Sequence, residues 1–407
     1  MADKTVNIEK VPGGVTTAAG FMAGAAMAAI KKADKRDVAV IYSSVPATAA
    51  GVFTLNKVKA APVLLSMDRL ARGKAQALVV NSGNANACNG EQGMQDALAM
   101  TAEAAHALHI PAEMVLVAST GVIGKKMPMD KVLPGVREAA GLVSSEGGSL
   151  AAQAIMTTDT YQKEAAVRLE LGGKTVTVGG MAKGSGMIHP NMATLLGFIT
   201  TDAAISDVCL KQALGYAVDR SFNMITVDGD TSTNDMVVIM ANGMAGNDMI
   251  KDASEDFMAF REALARVCDE LAVAIARDGE GATKLIEVEV RNAGTEGDAR
   301  LAARAVAGSS LVKAAMFGRD ANWGRIICAA GYSGAVFDPE IVDIFLGDVQ
   351  VAKDGGSLEF SEELALEALK GSTVKIIIDF KSGPFTATAW GCDLSYDYVK
   401  INADYRT

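Results

Sequence analysis

Histidine, aromatic residues, proline and paired cysteines are all scarce in this chain, and each shortage closes off a class of function. Three histidines among 407 residues leave little for imidazole chemistry. No Gly-x-Ser-x-Gly elbow occurs, since Gly331-Tyr-Ser-Gly-Ala335 misses at its last position, so a serine-hydrolase triad lacks support. His106 and His109, three apart on an Ala-rich stretch near Glu103 and Glu113, read as a half-exposed helix face before they read as a metal pair. Five cysteines at wide spacing (Cys88, Cys209, Cys268, Cys328, Cys392) form no C-x-x-C pair and argue against a disulfide framework or a zinc site. Neither a metal nor a cofactor is expected. Aromatics make up 5% of a chain that is 50% hydrophobic, so the core must be built from Ala, Val, Ile, Leu and Met. Nine prolines against 41 glycines suggest tight turns and close backbone approaches rather than Pro-rich linkers. Basic charge is not in excess either: a net charge of −10 argues against nucleic acid or an anionic membrane as partner. No apolar run is long enough to span a bilayer, and the start Met-Ala-Asp-Lys-Thr-Val lacks a signal-peptide layout, so a cytoplasmic protein is expected.

What is present is a mixture of short β-branched runs and Ala-rich helical stretches, enough for two or three domains. Strands are expected at Val38–Tyr42, Leu78–Val80, Val115–Val117, Ala166–Leu171 and Thr175–Val178, the last two joined through Gly172-Gly173 as a hairpin. Gly93–Leu108 reads as a helix, and another opens at Ser206 with Asp207 in its first turn. Further strands are expected at Leu195–Thr200 and Met236–Met240. In Ser254–Arg277, Phe257, Phe260, Leu264, Val267, Leu271 and Ile275 recur at helical spacing. Beyond it the texture shifts to short strands (Leu285–Val290, Ile341–Leu346, Val374–Phe380, Phe385–Trp390) and two helices, Asp298–Val312 and Ser361–Leu369. That shift places a boundary near residues 282–285, between units 1–284 and 285–407. The pattern points to layered α/β (α+β) architecture and not to a simple doubly wound sheet. No G-x-G-x-x-G follows a strand and opens a helix, so a dinucleotide site is unsupported.

Five polar, glycine-rich segments are poorly explained by packing: 81–90, 119–124, the segment around Thr194, 226–235 and 277–284. Any one of them alone is accounted for as a turn. Thr120-Gly121 follows a strand and could offer a hydroxyl and a backbone N–H to a developing oxyanion, or form an ordinary turn. Lys183 is followed by Gly184-Ser185-Gly186 in a loop that is not a Walker A motif; it could hold a substrate carboxylate or sit in solvent. Thr226–Asp235 mimics a calcium loop through Asp228, Asp230, Asn234 and Asp235. It lacks the glycine and the terminal Glu of an EF-hand, so hydrogen-bonded loop structure is the expectation.

The most informative stretch runs from Gly180 to Asp202. A glycine-punctuated loop passes through Pro190 and Asn191 into an apolar run beginning at Thr194. One hydroxyl thus stands at the junction of a loop and a buried strand, which suits a threonine that attacks the Ala193 carbonyl and then serves as an N-terminal nucleophile. His189 is close in sequence, but the loop can be read without histidine chemistry.

Taken together, these segments resemble the ornithine acetyltransferases of arginine biosynthesis, the glutamate N-acetyltransferases often called ArgJ proteins. The resemblance extends through Met156-Thr-Thr-Asp-Thr160, Ser221–Asp235, Ala276–Lys284, Ala321-Asn-Trp-Gly-Arg325 and the terminal Trp390–Thr407, and so covers nearly the whole chain. It implies an αββα-type sandwich of the N-terminal-nucleophile-like ArgJ/DmpA superfamily with a smaller α/β C-terminal domain whose tail returns to the active site. It implies cleavage between Ala193 and Thr194 into α (1–193) and β (194–407) chains that stay together, with an α2β2 assembly. Thr194 matches the nucleophile and Thr120 and Gly121 match the oxyanion hole. Thr157, Lys183, Thr194, Glu280, Asn402 and Thr407 match substrate-binding positions. The implied reaction moves acetyl from N2-acetylornithine to L-glutamate through an acetyl-threonine, and some members also accept acetyl-CoA. Two other readings are a self-cleaving aminopeptidase or amidase, which would release free acetate, and a non-catalytic metabolite-binding protein, which would stay a single chain.

Overall fold

The computed structural model describes residues 7–30, 33–189 and 195–404. Among them, nine strands form one sheet: β1 (Glu9–Val11), β2 (Phe21–Ala26), β3 (Val38–Phe53), β4 (Lys74–Asn84), β5 (Val115–Val122), β6 (Lys163–Leu171), β7 (Lys174–Lys183), β8 (Leu196–Thr201) and β9 (Met236–Ala241). Their order is β1-β6-β7-β8-β9-β3-β4-β5, with β2 paired to β3. The 16-residue β3 is shared by two leaves. Its first part pairs with β2 and β4 and its second with β9, and the β3–β4 ladder slips between Tyr42 and Ala47. Such an irregularity bends a strand and sharpens its twist, which lets one sheet fold over on itself.

Strand alternation shows how the leaves stack. Ile41, Leu78, Val80 and Leu116 of one leaf share a core with Met181, Leu196, Phe198 and Val238 of the other. The neighbours of these residues point outward and are equally buried. Val178, Ile199, Val237 and Ile239 pack on helices Asp207–Arg220 and Glu255–Arg277 through Leu214, Phe260, Leu264 and Leu271. Val40, Val79 and Val117 pack on helices Gly90–Leu108 and Met129–Gly141 through Met100, Ala104, Val132 and Val136. This is an αββα sandwich. Because both faces of its central strands are covered, Met236–Ala241 reads as an unbroken apolar run instead of an alternating one.

The expected hairpin is present, with Leu171 opposite Lys174 and Gly172 and Gly173 at φ of 55° and 76°, the positive values that a two-residue primed turn requires. Ser206 and Ser254 cap the two outer helices by accepting from the backbone N–H groups of Cys209 and Phe257. The expected helix Asp298–Val312 is instead two, Glu296–Gly308 and Ser310–Gly318. Ser309 leaves the helical region and its hydroxyl caps the second helix at Val312, a local hydrogen bond that helical periodicity does not reveal.

A second sheet holds β10 (Leu285–Ala293), β11 (Asp343–Leu346), β12 (Val349–Lys353), β13 (Gly356–Ser357), β14 (Thr373–Asp379) and β15 (Phe385–Cys392), ordered β13-β12-β11-β14-β10-β15. Ile286, Val288, Ile376 and Ile378 pack on Ala302, Val306 and Met316. The opposite face carries Lys375 paired with Glu287 and Glu289 at 3.3 and 2.8 Å. This sheet begins at Leu285, and on that ground we propose a unit boundary at 284/285. Asp393 ties the units together, accepting from the backbone N–H groups of Thr283 and Lys284 at 2.7 and 2.9 Å. Phe198, 1% exposed between the two leaves, is the most direct probe of the sandwich. Phe198→Ala is expected to lower unfolding free energy by about 3–5 kcal/mol, measured by urea titration.

Candidate active site

One cleft of about 260 Å³ collects the ends of these elements. Thr120 and Gly121 come from the end of β5, Lys183 from the end of β7 and Leu195 from the entrance to β8. Asp228 to Asp235 lead into β9, Glu280 follows the long helix Glu255–Arg277, and Tyr398 and Asn402 project from the C-terminal helix Tyr396–Asp404. Of the residues singled out from sequence, Thr120, Gly121, Thr157, Lys183, Glu280 and Asn402 all line this cleft. Ala193, Thr194 and Thr407 lie outside the described residues. His189 is not among the lining residues; its Nδ1 is 3.0 Å from the Thr226 hydroxyl, and burial together with the Arg304 charge pushes its pKa down.

The Asn-rich segment 81–90 turns out to be scaffolding for Thr120-Gly121. Ser119 donates to Asn81 Oδ1 at 2.6 Å, and Asn84 donates to the carbonyls of Lys125 and Lys126 at 3.1 Å each. From the other side, Asn234 Nδ2 donates to the carbonyls of Ala85 and Ser119 at 2.6 and 2.8 Å. Gly121 has φ of 130°, and a Cβ there would lie 2.4 Å from the Gly83 carbonyl carbon, so only glycine fits. No described residue engages the Thr120 hydroxyl, which leaves its donor free for a ligand.

Beneath the cleft lies a dry charge network. The Lys163 ammonium, 1% exposed, sits 2.8 Å from Asp159 Oδ1 and 2.6 Å from Asp278 Oδ2. Asp159 also accepts from the N–H groups of Thr157 and Gly184 at 3.0 and 2.7 Å and lies 3.9 Å from Lys183 Nζ. Burial works to raise the Asp159 pKa, but the Lys183 and Lys163 charges overcome it and hold the carboxyl well below the usual range. Burial likewise opposes the Lys163 charge, and its bonds to Asp159 and Asp278 outweigh that and raise its pKa. Asp278 takes the Thr160 N–H at 3.0 Å and the Thr160 hydroxyl, while its carbonyl accepts from Ser185 Oγ at 2.6 Å. The Glu280 N–H then donates to the Ser185 carbonyl at 2.9 Å. Segments far apart in sequence (157–160, 183–185 and 278–280) are thereby fixed around a common set of charges.

The acidic loop fixes the approach to residue 190. Asp228 accepts from the N–H groups of Met187 and Ile188 at 2.6 and 2.8 Å, and Thr231 Oγ1 donates to the His189 carbonyl at 3.0 Å. Burial raises the Asp228 pKa, and burial plus the Asp228 and Glu280 charges raise that of Tyr398. Asn402 Nδ2 donates to Glu280 Oε2 at 2.9 Å. Gly186 lets this carboxylate close over the loop, since a Cβ there would fall 2.4 Å from Glu280 Cδ. Asp159, Lys163, Asp228, Asp235 and Tyr398 escaped the sequence reading as site residues. The clustered aspartates of 226–235 were the available signal for two of them, and composition alone cannot separate a turn aspartate from a cleft aspartate.

The sequence profile of the ArgJ family matches residues 22–407. The arginine biosynthesis bifunctional protein ArgJ of Symbiobacterium thermophilum is 61% identical over 402 residues, covering 98% of this chain and 100% of that protein. The protein of the same name from Caldanaerobacter subterraneus subsp. tengcongensis is 55% identical over 404 residues, with the same coverage. A crystal structure of the arginine biosynthesis bifunctional protein ArgJ from Bacillus halodurans matches at 51% identity and a TM-score of 0.51, covering 52% of this chain and 100% of the solved one.

Removing the central cation leaves the buried Asp278 carboxylate without its ion pair and Asp159 with only Lys183 at 3.9 Å, so Lys163→Met is expected to destabilise by about 3–5 kcal/mol in urea titration. The acid limb gives a sign. The depressed Asp159 pKa contributes stability above the unfolded-state value, and that contribution is lost as pH falls through the folded-state value. With Lys163 gone the depression shrinks, and acid unfolding should begin at higher pH.

Proposed function

The chain belongs to the ArgJ family, and from that membership together with the cleft geometry we propose that it is a self-processed acetyltransferase of arginine biosynthesis acting through Thr194. The observation that carries the reading is the convergence of Thr120, Gly121, Thr157, Lys183, Glu280 and Asn402 on one cleft whose wall includes Leu195. Leu195 directly follows Thr194 in the chain.

In the precursor, the Thr194 hydroxyl attacks the Ala193 carbonyl and the C–N bond breaks, which frees the Thr194 amine and leaves an ester; water then hydrolyses that ester, returning the Thr194 hydroxyl and releasing the Ala193 carboxylate. An α-amine has a reference pKa of roughly 7.7–8.0, which makes it a usable general base near neutral pH. Strand order explains how the two products stay together. β8 and β9 follow the cleavage point, yet they lie between β7 and β3, which precede it, with ladders on both sides. Separating the halves would tear the sheet through its middle.

The mature enzyme then runs two half-reactions in one pocket. Thr194 takes the acetyl group of N2-acetylornithine and releases ornithine. The acetyl-threonine then passes its acetyl to the α-amine of glutamate. Thr120 and Gly121 meet the oxyanion in both halves. Lys183, a buried cation at the cleft floor, takes the α-carboxylate that both substrates share, while Glu280 faces the ornithine side-chain cation. Thr157, Asn402 and the Thr407 terminus complete the binding set. The word bifunctional in the relatives' names favours acetyl-CoA as a second donor feeding the same acyl-threonine. An α2β2 assembly follows from the family resemblance.

On a denaturing gel the active protein should run as two bands of similar size, and Thr194→Ala should restore one band and abolish transfer. A single band from fully active enzyme would sink the reading. Lys183→Ala should raise KM for both substrates roughly ten- to a hundredfold, as for loss of a charge-assisted hydrogen bond. An unchanged KM would remove Lys183 from the carboxylate site.

A further inference from the structure

Asp235 is the anomaly of the cleft. It lines the cavity, stands at the mouth of β9 next to Met236, whose N–H donates to the Leu195 carbonyl at 3.0 Å, and is 3% exposed. Its Oδ2 is buried and has no hydrogen-bond partner among the described residues. Buried polar atoms are nearly always paired, so an orphaned carboxyl oxygen on a ligand cavity calls for a ligand. Ser232 is its polar neighbour, and Lys183 is the cation whose field reaches it.

Charge balance decides which form of the carboxyl stands there. Lys163 and Lys183 are matched by Asp159 and Asp278, so the dry network is already neutral. An ionised Asp235 would add an unpaired negative charge beside the place where a substrate carboxylate must bind. Burial pushes the Asp235 pKa well up, against the smaller pull of Ser232 and Lys183. A neutral carboxyl in a dry site is a hydrogen-bond donor.

We infer that Asp235 is a substrate-binding residue: its carboxyl donates a hydrogen bond to the same substrate α-carboxylate that Lys183 attracts, so that cation and acid form a two-point clamp. This rests on the proposal that Lys183 takes that carboxylate. The clamp selects for a free α-carboxylate, because an ester or amide would lose the charge for Lys183 and accept more weakly from Asp235. Substrate anion and Asp235 share one proton, and ionisation of Asp235 turns the donor into a repelling charge. The other ionisable groups facing this space are Lys183 from β7, Asp228 and Asp230 from the preceding loop, Glu280 from the loop after the long helix, and Tyr398 from the C-terminal helix.

The test is KM for acetylornithine and for glutamate against pH in the processed wild-type enzyme, Asp235→Asn, Asp235→Ala and Lys183→Ala. Asp235→Ala should raise both KM values roughly ten- to a hundredfold, with a smaller change in kcat. Asp235→Asn, which keeps an N–H donor of the same shape, should restore most of that loss. It should also lack the rise in KM that the wild type shows as its Asp235 proton leaves at high pH. Difference infrared spectra should show a protonated carboxyl band that shifts on substrate binding and is missing in Asp235→Asn. If Asp235→Asn binds as poorly as Asp235→Ala, the group acts as an anion and the clamp is wrong. If Lys183→Ala raises KM while both Asp235 variants match the wild type, this inference alone falls. An unchanged KM in Lys183→Ala instead removes the carboxylate site beneath both. Should Asp235→Ala fail to fold, the pH profile and the infrared band of Asp235→Asn still decide the matter.

Discussion

A single buried ammonium group organises the centre of this protein. Lys163 lies on β6, away from the cleft wall, and bonds at once to Asp159 and Asp278. Those two carboxylates hold the backbone of Thr157, Thr160 and Gly184, and the Asp278 carbonyl and the Ser185 carbonyl carry the linkage on to Glu280. A charge pair of this kind contributes little net stability by itself, yet leaving either partner alone in a dry interior costs several kcal/mol. Geometry is therefore enforced: Lys183 and Glu280, opposite charges on one cleft, are placed by one network and cannot drift independently.

The fold also interleaves the first and second halves of the chain in one sheet. The segment after residue 194 enters the sheet as β8 and β9, between strands contributed by the first half. Its inner residues Leu196, Phe198 and Val238 are core for both leaves, and its outer ones are core for the helix layer. The described residues that follow position 194 are thus locked on both sides, with Leu195 on the wall of the cleft. Thr120 and Gly121 have a rigid seat in the same cleft. The seat needs glycine at 121 for its φ and its closeness to Gly83, and it needs Asn234 to bond across to Ala85 and Ser119.

Much of this was legible in the residues. Periodicity located the long helix Glu255–Arg277, Gly172-Gly173 located a hairpin, and the polar glycine-rich segments converge on the cleft. Where the sequence misled, a local interaction had prevailed over the pattern. Ser309 caps a new helix within a stretch whose apolar spacing continues through it. The helix Met129–Gly141 holds Pro134 in its interior, a residue that reads as a breaker, and Tyr396–Asp404, with no buried residue, lacks the stripe that marks a core-facing helix. The aspartates of 226–235 looked alike as letters. Only folding made Asp228 a brace for Met187 and Ile188 and left Asp235 buried with an unmatched oxygen.

The sequence by itself determined the chemistry available: a threonine at a loop–strand junction, a Thr-Gly pair after a strand, a lysine among glycines, and no Gly-x-Ser-x-Gly elbow to support a serine-hydrolase triad. These are properties of residue type and near neighbours, and near neighbours are what sequence reports. Tertiary structure alone decided which charges meet. Lys163 is paired with Asp278 across 115 residues as well as with its near neighbour Asp159, and the state of each carboxyl depends on the cations and the dry surroundings that folding brings to it. Electrostatic energy in a protein interior depends on distance and burial, and neither is written in the order of the residues.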